Sequence, residues 1–264
     1  MRYFVPDIRA PRPSEPEKAG LFRRVLGRPP EAAAPAPAPG ERLGGRPWGL
    51  SSDRWPKCSE CGKSQSLLAQ FEHHPDRLDL GREGRVLFVF QCAHDPGMCA
   101  TWEAFSGANA CFVVEPEHIE AKTTELPGDA PPVDPEVLVD DWTMKDDGLS
   151  TDLAEAFHSE QTFLKVSEEM LRKVTWSTRL GGLPRWMQSP DEAPKPGWRF
   201  VGQLDGAYSF LSPPTPCPAW VSPDPEAFEG RTHVATGPNF GGGLAYLFLR
   251  DGDQRPDGCM FWQR

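Results

Sequence analysis

The stretch Leu43-Gly44-Gly45-Arg46-Pro47-Trp48 occurs a second time in the chain as Leu180-Gly181-Gly182-Leu183-Pro184-Arg185-Trp186. Each copy is followed first by a strand-like segment with a glutamine near its end and later by a glycine-led aromatic segment. These segments are residues 67–71 and 84–90 in the first copy, and residues 200–204 and 243–249 in the second. The shared order of three features indicates an internal repeat. It predicts two divergent copies of one β unit, packed with approximate two-fold pseudo-symmetry around a shared core.

The regions around the repeats divide the chain into four parts. Residues 1–41 contain an alternating Pro/Ala run and are predicted to form a flexible arm. Residues 42–114 form the first β repeat, 115–178 an acidic linker with one or two amphipathic helices within 151–174, and 179–264 the second β repeat. The 30 prolines and 25 glycines interrupt long helices, so the expected fold class is α+β and β-rich. Buried strands are predicted at residues 86–90, 110–114, 199–204 and 244–249.

Charge is concentrated in the middle of the chain. The formal net charge is −10, and segment 115–178 alone carries 16 acidic against 5 basic residues. Such a field repels nucleic acid and favours a basic protein partner, although an acidic segment can also serve only to keep the chain in solution. The aspartates Asp140, Asp141, Asp146 and Asp147 are therefore predicted to contact a partner. The apolar patch at 21–26 is short and contains two arginines, which argues against a secretion signal and predicts a cytoplasmic location.

Four cysteines have the spacing of a metal site. Cys58-Ser59-Glu60-Cys61-Gly62 is a CxxC knuckle, and Cys92 and Cys99 follow a predicted strand. Two such loops can supply the four thiolates of a closed, structural Zn²⁺ site, with one zinc per chain. His94 or Cys111 could replace one ligand. A redox CxxC is disfavoured, because the pair lacks the βαβ setting of thioredoxin-like proteins.

The sequence lacks the patterns of familiar active sites. It contains no nucleophile-elbow, zinc-protease or phosphate-loop motif. Asp205, which follows Gln203 at a predicted strand end, could be a site residue or could cap a turn. We therefore expect no enzymatic activity.

The motifs resemble a known superfamily, the bacterial YwqG-like proteins and the eukaryotic programmed cell death 2 and Tsr4 proteins. Residues 179–188, 203–205, 242–248 and 261–264 are similar to the YwqG signature, and residues 44–47, 58–62 and 87–92 are more similar to the programmed-cell-death-2 type. The resemblance implies a duplicated β-rich fold without known enzymatic activity. Its eukaryotic members are chaperones for a ribosomal protein, and some bacterial members are thought to be toxin-immunity proteins.

Both roles are protein binding, so the leading hypothesis is a chaperone-like or immunity-like binding module. The surface expected to hold the partner comprises exposed strand edges and the aromatic residues Trp48, Trp186 and Trp262, together with Gln203 and Asp205. Two alternatives remain open. One is a zinc-containing nucleic-acid-binding factor, and the other is an enzyme whose site the sequence does not reveal.

Overall fold

Apolar runs with alternating side-chain directions build one closed barrel of ten antiparallel strands. The computed structural model describes residues 1–11, 40–95, 98–150, 155–194, 197–225, 230–252 and 254–264. The strands in those ranges are β1 (Arg2–Arg9), β2 (Arg42–Leu43), β3 (Ser66–Glu72), β4 (Val86–Gln91), β5 (Asn109–Val114), β6 (Val137–Asp146), β7 (Arg179–Gly181), β8 (Arg199–Asp205), β9 (Ala207–Phe210), β10 (Ser222–Pro223), β11 (His233–Thr236), β12 (Leu244–Arg250) and β13 (Asp257–Gln263).

The barrel joins strands of both repeats edge to edge. Its order is β1-β6-β2-β3-β4-β5-β13-β12-β8-β7, and β7 pairs with β1 to close it. The three remaining strands form a separate sheet, β10-β11-β9, inserted in sequence between β8 and β12. The predicted β-rich character is confirmed. Closure pairs most strand edges, but some ladders are short: in the described residues β6 pairs with β2 only through Val137 and Leu138, and β1 pairs with β7 only through Tyr3 and Phe4.

The continuous apolar runs are explained by burial on both faces of the barrel wall. In β4, Leu87 and Val89 belong to the interior core, whereas Phe88 and Phe90 pack under an outer cover that includes Trp55. In β12 the interior residues are Ala245, Leu247 and Leu249, and the outer residues Leu244, Tyr246 and Phe248 pack with Trp186. Because neighbouring side chains point to opposite faces, a strand covered on both sides is apolar throughout. Strands are confirmed at 86–90, 110–114, 199–204 and 244–249. The first and last are buried throughout, whereas residues 110–112 and Phe200 are half-buried and Arg199 is exposed.

The two Gly-Gly turns adopt the same unusual backbone conformation. Gly45 has φ +67° and Gly182 has φ +70°, a region that favours glycine. A Cβ atom on Gly45 would lie 2.6 Å from a side-chain atom of Glu136, and one on Gly182 would lie 2.9 Å from Cβ of Tyr3. Left-handed backbone and close packing therefore explain why both turns need glycine, as the repeat predicts.

The ends of the predicted arm and linker are corrected by the structure. Residues Arg2–Arg9 are not part of a flexible arm, because they form β1 and pair along their whole length with Val137–Asp146 of the predicted linker. Tyr3 and Val5 of β1 are buried, which supplies the free energy that fixes the segment in the barrel. The Pro/Ala run lies outside the described residues.

The helical segment is shorter than the sequence suggests. It contains a 3-10 turn at Glu155–His158 and two helices, Glu160–Phe163 and Glu168–Lys173, whereas residues 151–154 lie outside the described range. The segment packs on the outer face of the barrel through Phe157 and Phe163. None of the described helices is long and apolar enough to cross a membrane.

Candidate metal centre

The CxxC turn brings the first two sulfurs to one side of a tight loop. The backbone N–H of Cys58 donates to the carbonyl of Lys63 at 2.8 Å, and the N–H of Gly62 donates back to the carbonyl of Cys58 at 2.9 Å. Gly62 has φ +72°, which lets the chain reverse directly after Cys61. This local geometry is that of a zinc knuckle.

The second pair comes from the end of β4 and the loop after it. The N–H of Cys92 donates to the carbonyl of Ala108 at 2.8 Å, which fixes the strand end against the approach to β5. The N–H of Ala100, next to Cys99, donates to Oε1 of Glu60 at 2.8 Å. The Glu60 carboxylate thus ties the loop that carries Cys99 to the knuckle.

The four predicted ligands converge. The Sγ atoms of Cys58, Cys61, Cys92 and Cys99 all lie within 4.8 Å of one another, and those of Cys61 and Cys92 are 3.6 Å apart. Because a tetrahedral zinc has Zn–S bonds of about 2.3 Å, its sulfurs lie about 3.8 Å apart. Three of the cysteines are buried and Cys61 is exposed, so an ion could enter from that side. The arrangement fits a four-coordinate metal ion with no position left for substrate.

Burial at the cluster favours the protonated thiol form of Cys92 and Cys99 until an ion binds. Burial raises the pKa of the Cys92 thiol to about 11 and also raises the pKa of Cys99, whereas a hydrogen bond with the backbone of Lys63 lowers the pKa of Cys61. A bound divalent cation would compensate the buried thiolate charge and displace these protons.

The alternative ligands have other positions. Nε2 of His94 lies 2.9 Å from the carbonyl oxygen of Ser64, and Cys111 lies in β5 opposite Val89. Neither belongs to the cluster of converging sulfurs. The converging sulfurs therefore include that of Cys99, and neither His94 nor Cys111 adds a ligand atom to them.

The three tryptophans predicted to contact a partner are core residues. Trp48, Trp186 and Trp262 are each no more than 8 % exposed. Nε1 of Trp186 donates to the carbonyl of Phe157, and Nε1 of Trp262 donates to Oγ1 of Thr101 at 3.1 Å. These tryptophans therefore do not form an exposed aromatic surface: Trp186 packs on the outer residues of β12, and Trp262 belongs to the interior core of the barrel.

Gln203 and Asp205 also have internal partners. Gln203 is fully buried, and its amide makes four hydrogen bonds inside the protein. Oδ1 of Asp205 accepts from the N–H of Ala207 at 3.2 Å, the turn-capping role that the sequence left open. Burial raises the pKa of Asp205 to about 6. Both residues therefore have structural roles in the barrel.

The four aspartates lie in or beside β6, and not in a free linker. Oδ1 of Asp140 accepts from Nε of Arg9 at 2.5 Å, and Oδ1 of Asp146 accepts from the amino nitrogen of Met1 at 3.0 Å. Asp147 contacts the same nitrogen, and its side chain is fully buried. Asp140, Asp141 and Asp146 are exposed, so only these three can meet a partner in the folded protein.

A surface next to the cysteines escaped the sequence analysis. Residues 98–107, here called the Cys99 loop, present Met98 at 71 % and Phe105 at 65 % exposure. Phe105 has φ +64°, an uncommon conformation for a residue with a side chain, and its ring packs 5.3 Å from that of Trp198. The signal in the sequence is a group of large apolar residues within a segment that has no strand or helix pattern.

The chain has no recognised relative in the three comparisons with known proteins. No family model matches it, and neither a curated protein nor a solved structure is significantly similar to it.

Proposed function

We propose that this chain is a non-enzymatic protein-binding module in which a structural zinc fixes a docking loop. The observation that carries the proposal is the exposure of Met98 and Phe105 on the Cys99 loop, directly beside four converging cysteines. Contiguous exposed apolar patches mark interaction sites, and two such side chains on one short loop favour a site of this kind. A side chain held at positive φ costs about 1–2 kcal/mol, and such strain is concentrated at functional sites.

Zinc is the ion that the donor set favours. Four thiolates in a tetrahedral arrangement select zinc or iron, and zinc is the usual occupant of a closed CxxC knuckle site. The site would act by holding the Cys99 loop against the knuckle, in addition to the Glu60 hydrogen bond. It leaves no coordination position for a reacting water molecule, which supports a structural role.

We also propose that the barrel arose by duplication and has approximate two-fold pseudo-symmetry. Each of β1, β2, β3, β4 and β5 can be exchanged with β6, β7, β8, β12 and β13, respectively. After this exchange every strand of the barrel still has equivalent neighbours. Equivalent contacts support it: Gln70 accepts from the N–H of Trp48 at 2.9 Å, and Gln203 accepts from the N–H of Arg185 at 3.0 Å. The motif resemblance supports placing the chain with the YwqG-like and programmed-cell-death-2 proteins.

A basic protein is the partner that the charge favours. The net charge of −10 opposes binding of a phosphate backbone, and the exposed carboxylates of Asp140 and Asp141 add to the negative field. The recess at Asp205, which Tyr208 and Arg231 also line, has a volume of about 20 Å³. That volume accommodates a water molecule and excludes a substrate.

Affinity capture with a matched pair of surface variants tests the proposal. The protein is used as bait in parent form, as Met98→Ser/Phe105→Ser, and as Met144→Ser/Leu164→Ser, a control that removes equally exposed apolar side chains elsewhere. We expect the parent and the Met144→Ser/Leu164→Ser control to capture a partner of basic composition, and Met98→Ser/Phe105→Ser to lose it. All three proteins should have the same melting temperature. The same captured set on all three baits would refute the docking role of the loop.

A further inference from the structure

We propose that the cleft between Trp102 and Trp262 binds the cationic side chain of an arginine or lysine in a basic protein partner. This inference deepens the proposed function, on which it rests, by assigning a recognition pocket and the chemistry of its ligand. The cleft lies beside the Cys99 loop and has a volume of about 330 Å³. This is at the lower limit of ordinary ligand pockets, which are about 300–1,000 Å³, so it suits one long side chain.

Two aromatic rings form adjoining walls of the cleft. The ring centroids of Trp102 and Trp262 are 6.3 Å apart, and their planes meet at 78°. Trp102 is 38 % exposed and presents its ring to solvent, whereas Trp262 is held in the core. The face of an indole ring attracts a cation within about 6 Å, and tryptophan is the strongest aromatic partner. The accessible ring surface at the cleft is therefore that of Trp102, and Trp262 contributes a buried wall.

A carboxylate at the same cleft supplies the complementary charge. Glu192, at the end of the 3-10 turn Pro190–Glu192, lines the cleft, and its Oε2 accepts from Nε2 of Gln263 at 2.9 Å. That hydrogen bond positions the carboxylate at the cleft. Arg264 also lines the cleft and contributes a positive charge there. Aromatic faces next to a carboxylate favour a cation over a neutral or anionic group.

Hydrogen bonds link the cysteine cluster to the segment that positions Trp102, the exposed wall of the cleft. Trp102 follows Thr101, whose Oγ1 accepts from Nε1 of Trp262 and whose carbonyl accepts from Nδ2 of Asn109 at 2.6 Å. The N–H of Thr101 in turn donates to the carbonyl of Cys99 at 2.7 Å. Metal binding at Cys99 therefore orders the residue that precedes Trp102, and removal of the metal should weaken the pocket.

Calorimetric titration of the full chain with a defined probe tests this pocket. The probe is a blocked peptide with three arginines separated by glycines, and its matched control carries citrulline, which has nearly the same shape without the charge. We expect the citrulline peptide to bind at least about tenfold more weakly, and Trp102→Ala to reduce affinity for the arginine peptide by about tenfold. Trp220→Ala, which removes a 37 % exposed tryptophan elsewhere, should leave affinity unchanged.

Two charge variants separate electrostatics from a loss of structure. Glu192→Gln should weaken binding of the arginine peptide several-fold, whereas Arg264→Gln should strengthen it, because the two groups contribute opposite charges to one cleft. Equal binding of the two peptides, or no effect of Trp102→Ala, would overturn the proposal. Binding of a single-stranded oligonucleotide in place of the peptide would also overturn it, and would assign the rings to base stacking. A captured partner whose binding is insensitive to Trp102→Ala would refute this pocket while leaving the proposed function intact.

Discussion

Replacing Gln203 by leucine should reveal how strongly one buried amide holds the second half of the barrel. Its Nε2 donates to the carbonyls of Thr175 and Ser177, both at 3.1 Å, and its Oε1 accepts from the N–H of Arg185 at 3.0 Å and from Nη2 of Arg179 at 3.2 Å. Leucine has a similar volume and makes none of these bonds. At about 1 kcal/mol for each bond, Gln203→Leu should lower the free energy of unfolding by about 4 kcal/mol.

The equivalent position in the first half provides a matched comparison. Oε1 of Gln70 accepts from the N–H of Trp48, but its buried Nε2 has no hydrogen-bond partner among the described residues. Gln70→Leu therefore removes one bond and also removes an unsatisfied donor. We expect it to cost about 1 kcal/mol or less, so the two substitutions should differ by about 3 kcal/mol although the residues occupy corresponding places.

Urea denaturation followed by circular dichroism measures both free energies. The size of the expected loss is a large share of the stability of an ordinary domain, about 5–15 kcal/mol, so the Gln203 variant should show a clearly lower midpoint. Equal losses within about 1 kcal/mol, or a larger loss for Gln70→Leu, would refute the reasoning from hydrogen bonds.

Three further predictions concern the cysteines and the carboxylates. Cys58→Ser should lower the free energy of unfolding by about 3 kcal/mol or more through loss of the metal, and thermal melts should show no such change for the exposed Cys217→Ser. The pKa of Asp205 is about 6 in the folded protein, against about 3.9 in the unfolded chain. Ionisation of this buried carboxyl group therefore costs no stability below pH 4, and the loss of stability grows as the pH rises through 6. Asp205→Asn should therefore stabilise the protein by up to about 3 kcal/mol at pH 7 and by almost nothing at pH 4, and a pH-independent difference in urea titrations would contradict this. Neutralising Asp140 and Asp141 should slow association with the captured partner at low salt and leave the melting temperature unchanged, whereas a salt-independent rate would show that these charges do not steer binding.

The sequence alone predicts the features that depend on residues close together in the chain. The spacing of Cys58, Cys61, Cys92 and Cys99 identified the cluster, because metal-site geometry requires paired loops with few residues between ligands. The run at β4 identified a buried strand, because no other pattern keeps apolar side chains on two covered faces. The Gly-Gly turns were identifiable because the backbone conformation excludes other residues.

The missed features depend on contacts between distant segments. Strand β1 contains Pro6 and lies beside the arm in sequence, so its place became evident only from pairing with β6, about 135 residues away. Composition does not distinguish buried from exposed tryptophans. It therefore does not show that Trp186 is buried, and it does not single out the exposed Trp102. Neither the exposure of Phe105 nor its positive φ is specified by an irregular loop sequence.

Metal content per chain shows whether the four cysteines hold a structural zinc. Protein purified without added metal is analysed by native mass spectrometry and elemental analysis, in parent form and as Cys92→Ser. We expect one zinc bound to each parent chain, absent from the variant, and weaker binding of the arginine peptide once a strong chelator has removed the metal. A natively folded parent protein that holds iron or no metal, or that keeps its peptide affinity after zinc is removed, would contradict the account.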